Sequence, residues 1–136
     1  MPRIRLLSDA EMSDEQRRMR DEIVAGPRGG VRGPFMAWMH RPNLLARAQK
    51  LGAYCRFDSS LDPRLSELAI LVTARHWGAQ FEWYAHAPIA EKAGISAANV
   101  EAIRSRGEPA FDREDEATVY RFAKELYASG TVSQET

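Results

Sequence analysis

Apolar residues recur along this chain at intervals of three and four, and stretches that alternate apolar with polar are short. That period predicts helices, and no run of β-branched or aromatic residues is long enough to read as a strand. Ser13 and Gln16 form the S-x-x-Q of a capping box, so a helix is expected to about Val24, stopped by Gly26-Pro27. Gly26 to Pro34 holds four glycines and two prolines in nine residues and reads as a loop. A short apolar turn, Phe35 to His40, follows. Pro42 suits the first position of a helix running to about Phe57, with Leu44, Ala48, Leu51 and Cys55 on one face.

Asp58 to Pro63 is a turn, and Pro63 opens the next helix. Leu65, Leu68, Ala69 and Val72 are spaced as one face of it, and Ile70, Leu71 and Ala74 make most of the other side apolar, so burial all round is expected. Trp77-Gly78 is the break. Ala79 to Ala93 is helical again, closed by Gly94, with a kink expected at Pro88. Ser96 caps a helix to Arg106 that Gly107 closes, and Asp112 caps a last one to about Ala128 that Gly130 closes. Thr131 to Thr136 reads as the cap and first turn of a further helix; either this tail lacks structure or the chain is a fragment of something longer. The pattern predicts an all-α bundle of about six helices in a single domain spanning 1–136.

The 136 residues include 19 Lys+Arg and 19 Asp+Glu, so no basic excess points to nucleic acid, and 44% hydrophobic content excludes a disordered chain. No apolar run reaches the ~18 residues of a membrane span, and Met1-Pro2-Arg3-Ile4-Arg5 lacks a signal peptide's apolar core. The single cysteine, Cys55, excludes an internal disulfide, a CxxC pair and a cysteine-built zinc site; it permits a cytoplasmic protein and reads as a small core residue. The helices from Pro63 and Ala79 are too apolar for a lone small bundle, so self-association is expected.

Candidate chemistry concentrates between Glu67 and His86. Glu82 and His86 are an i, i+4 pair on a helix with little solvent face. A carboxylate beside an imidazole favours its protonated form while burial opposes it, a balance suited to acid–base work. The same spacing is equally that of an ordinary structural pair. Glu67 lies 15 residues before Glu82, ~22 Å along a continuous helix at ~1.5 Å per residue, so the two meet only if the chain reverses at Trp77-Gly78. Its alternative is a carboxylate paired with Arg64, Arg75 or a nearby loop. Arg28 and Arg32, in the glycine-rich loop, offer planar forks for a carboxylate, or are charged residues of a solvated turn. Arg56 can complement its helix's dipole. His40, His76 and His86 show no metal-binding spacing, so no metal is expected.

The run Glu67-Leu-Ala-Ile-Leu-Val-Thr-Ala-Arg-His-Trp-Gly-Ala-Gln-Phe-Glu82-Trp-Tyr-Ala-His86, followed by Ala90-Glu-Lys-Ala-Gly94, resembles the carboxymuconolactone decarboxylase family, whose superfamily includes the alkylhydroperoxidase D proteins. The resemblance extends upstream through Gly26 to Pro34 and Leu51 to Phe57. It implies an all-helical alkylhydroperoxidase D-like bundle assembled as a trimer or hexamer. The peroxidase branch carries CxxC ahead of the histidine; those positions are Ala79 and Glu82 here, which excludes a disulfide relay. The Glu82 and His86 pattern resembles the decarboxylase branch, whose enzymes act on a carboxylated unsaturated lactone in aromatic degradation without cofactor. The resemblance implies His86 as proton donor or electrophile, oriented by Glu82, with Glu67 completing the relay. Arg32 or Arg28 would anchor a substrate carboxylate, and Trp77, Trp83 and Phe81 would supply an apolar wall. Members of that branch run further at the C-terminus, so a truncated domain is expected. The alternative from another class is an oligomeric binding or stress-associated protein that keeps the pocket without catalysis.

Overall fold

The computed structural model describes residues 4–136; the N-terminal Met1-Pro2-Arg3 lies outside them. Seven α-helices and no strand are present among the described residues. They fall into two compact units, Met1–Ser59 and Ser60–Thr136.

In the first unit the capping box forms as expected. Gln16 N–H donates to Ser13 Oγ, and Ser13 N–H donates to Gln16 Oε1 at 2.8 Å, starting α1 (Asp14–Ala25). A second box, Ser8 with Glu11, closes a 3-10 turn over Asp9–Glu11 that the apolar period does not reveal. The apolar turn after Pro34 is a short helix, α2 (Pro34–Trp38), and Pro42 opens α3 (Pro42–Ala53), which continues into a π-helical turn over Tyr54–Asp58. Ile23, Met39 and Leu45 form the core, and Gln16 donates to the Met39 carbonyl at 2.9 Å. The face expected to be apolar and buried is turned the other way. Leu44, Leu51 and Cys55 are exposed, while Leu45 and Gln49, one position off, are buried. Leu44 and Leu45 are both apolar, so periodicity alone leaves the helix's rotation ambiguous by one position, and the structure takes the other choice.

The second unit holds α4 (Pro63–Trp77), α5 (Gln80–Ala93), α6 (Ala97–Ser105) and α7 (Glu114–Ser129). Asp62 accepts from the Arg64 N–H at 2.8 Å, and Pro63 sits where no N–H is needed. Packed against α5, α6 and α7, α4 is central: Leu68, Leu71 and Val72 meet Ala90, Ile95, Val100, Ile103 and Ala123. Burial all round does not hold, since His76 and Trp77 are exposed at its end. The helix α5 runs unbroken through Pro88. Two helix ends differ from expectation by one residue. Arg113, not Asp112, precedes α7, and α6 closes on Arg106 in the left-handed region at φ 62° rather than on Gly107. The tail starts no helix. Ser133 N–H and the Thr136 hydroxyl both donate to Glu125, at 2.7 and 2.6 Å.

A charged clasp ties α4 to α7. Buried Arg64 donates to Asp115 at 2.6 Å and to buried Glu116. The Arg64 hydrogen bond, then that of Arg113, holds the Asp115 carboxyl far below its ordinary value of 3.8. The folded pKa is depressed, so this stabilisation is complete above 3.8 and is lost as pH falls below it. Arg64→Ala leaves buried Glu116 with only the more distant Arg113, at 3.9 Å, and is expected to cost about 3 kcal/mol in urea unfolding at pH 7. The penalty should shrink as pH falls below 3.8 toward the depressed folded value of Asp115, where that carboxylate takes up its proton in the wild type as well.

Candidate functional site: a carboxylate–imidazole–carboxylate relay

Gly78 makes the site possible. It takes φ 64°, closing α4 where a side chain would be strained, and α5 begins two residues later. The short reversal lays α5 back along α4 and brings together groups that a straight helix would hold far apart. His86 Nδ1 lies 2.6 Å from Glu67 Oε2, and both residues are buried, 6% and 5% exposed. A carboxylate accepts, so Nδ1 carries the hydrogen. Nε2 faces Glu82 Oε2 at 3.5 Å, beyond a direct hydrogen bond. The Glu82 side chain is 40% exposed, so the relay runs from a buried carboxylate through a buried imidazole to one that reaches solvent. Arg64, one of the cations expected beside Glu67, is instead taken by Asp115 and Glu116.

The three expected wall residues are not alike. Trp83, three residues before His86, packs on the core of the second unit. Trp77 stands 71% exposed at the end of α4, edge-on to His76, and Phe81 is also exposed. Arg28 and Arg32 belong to the first unit. Arg32 is exposed. Arg28 is half-buried, its guanidinium 4.6 Å from the centre of the Phe35 ring and 5.6 Å from that of Phe57. Its Nε is buried without a hydrogen-bond partner, and burial, then the Arg56 charge, pulls its pKa below the ordinary arginine value. Among the described residues no three of His, Cys, Asp and Glu are grouped to hold a metal ion, and no helix is long and apolar enough to cross a membrane.

The fold and the relay together define an all-helical protein built around a buried Glu–His pair with a second, solvent-reaching carboxylate. The chain belongs to the carboxymuconolactone decarboxylase family, whose model matches residues 42–125, from the start of α3 into α7. The match takes in Glu67, Glu82 and His86 but not the glycine-rich loop with Arg28 and Arg32. Neither a curated protein nor a solved structure matches the chain.

The two carboxylates differ in what their loss should do to folding. Glu67→Ala strands a buried imidazole N–H and is expected to cost about 1–3 kcal/mol in urea unfolding. Glu82→Ala removes a solvated group at a longer distance and should cost under about 1 kcal/mol.

Proposed function

We propose that the chain is a cofactor-independent carboxy-lyase acting on a small carboxylated unsaturated lactone of the 4-carboxymuconolactone type. The observation that carries this reading is the buried His86, held at Nδ1 by Glu67 and open at Nε2 toward the half-exposed Glu82. In the reaction the bond between the ring carbon and the carboxylate breaks and CO2 leaves. The electron pair delocalises through the double bond onto the lactone carbonyl oxygen as a dienolate. A proton then goes from His86 Nε2 to carbon, and the carbonyl re-forms. Solvent restores the proton by way of Glu82, the member of the relay that reaches water.

Glu67, in place of the Glu82 expected from the resemblance, fixes the imidazole so that Nε2 is the nitrogen that faces Glu82. Burial of the ring keeps its proton from exchanging idly with water. Arg28 suits carboxylate recognition on its own geometry, as an unpaired guanidinium stacked on two rings with a hydrogen-bond donor unused. Family membership supports a role of this kind, and the lactone is the substrate class that the Glu–His pattern suggests.

Ultraviolet decay of the lactone, followed with wild type and with His86→Ala, tests the reading. General acid catalysis contributes ~10²–10⁴-fold, so His86→Ala should fall by at least about a hundredfold while keeping the native circular dichroism. Full activity in that variant removes His86 as donor. A folded wild type that leaves the lactone intact favours the alternative, a binding protein that keeps the relay without turnover.

A further inference from the structure

A second cluster of polar groups lies on the second unit, and none of its members belongs to the relay. A cavity of about 250 Å³ opens among α4, α6 and α7. Arg75, Arg106 and Lys124 line it, with His76, and no carboxylate does. The arginines of this unit show how unusual that is. Arg64, Arg104, Arg113 and Arg121 each pair with an acidic side chain, whereas Arg75 and Arg106, the two in the cavity, pair with none.

Two local features distinguish the cluster. Arg75 Nε is buried and has no hydrogen-bond partner, so no carboxylate of the protein neutralises this guanidinium from within. Arg106 is the one non-glycine residue with positive φ among the described residues, although a glycine follows it directly. A helix end of this kind usually gives that conformation to glycine; here it is given to a cation that lines the cavity. The remaining lining is largely aliphatic and aromatic. Val72, Ile103, Tyr120 and Tyr127 line it too. His76 stacks on Tyr127 at 4.6 Å between centroids, and Lys124 Nζ sits 5.6 Å from the centre of the Tyr120 ring.

We propose that this cavity binds a small organic dianion with a flat apolar body, its carboxylates taken by Arg75, Arg106 and Lys124 and its body by the two tyrosines. Three cations without a counter-charge call for more than one negative charge, and the aromatic walls favour a planar ligand over a bare inorganic anion. The volume falls just below the roughly 300–1,000 Å³ of ordinary ligand pockets, which limits the ligand to a single ring. The site is independent of the lyase reading and needs no turnover.

Titration calorimetry with phthalate as probe and inorganic phosphate as comparison tests it on the full chain. Arg106→Gly is the decisive variant. Glycine relieves the left-handed strain, so thermal stability should hold or rise while phthalate affinity falls at least tenfold. Arg75→Gln should also weaken phthalate at least tenfold, although Arg75 borders a neighbouring cavity as well. His86→Ala should leave phthalate binding unchanged. Phthalate binding unaffected by Arg106→Gly, or lost in His86→Ala alone, overturns the proposal. So does phosphate binding as tightly as phthalate, which would make the site one for an adventitious ion only. Absence of phthalate binding together with a change of oligomeric mass in Arg106→Gly would show instead that a second copy of the chain fills the cavity.

Discussion

The hydrogen bond between Glu67 and His86 constrains everything around it. Both groups are buried, and each would be costly to bury without the other. They come from different helices, so their 2.6 Å contact fixes the register of α5 against α4. A slip of one residue would rotate either side chain by about 100° about its axis and leave a buried polar group alone. The left-handed turn at Gly78 allows the reversal, and Leu68, Leu71 and Val72 of α4 pack in one core with Ala90 of α5. Glu82 gains its place from the same register, one helical turn before His86 and at the edge of the buried region.

Much of this was legible from residue types. Pro63, Gly78, Gly94 and Gly130 act through their own backbone restrictions, so the bounds of α4 and α5 and the end of α7 follow from local chemistry. The meeting of Glu67 with Glu82 and His86 was legible as a condition, a reversal at Trp77-Gly78, that the structure meets. Features that depend on tertiary choice were not. The rotation of α3, which exposes Leu51 and Cys55 and buries Leu45, turns on which of two adjacent apolar residues faces the core. The Arg64 clasp joins residues about fifty positions apart, and nothing in local sequence pairs them. Arg106 took the conformation that composition assigns to Gly107, and with it went the clue to the cationic cavity.

One helix thus serves two polar sites of different character. Glu67 and Arg75 lie eight residues apart on α4, about 12 Å along its axis. Near Glu67 the imidazole is held at Nδ1 and left without a direct hydrogen bond at Nε2. Near Arg75 the cations outnumber their partners, which suits capture of a ligand. α4 packs against α5, α6 and α7 along its length.

The central claim is that the relay delivers a proton to carbon as CO2 departs. It is tested most directly by running the lactone reaction in heavy water with the full chain and weighing the product. The relay predicts CO2 release with one deuterium bound to carbon in each product molecule. Recovery of unchanged lactone from a folded protein, or a product that keeps its carboxylate, would contradict it.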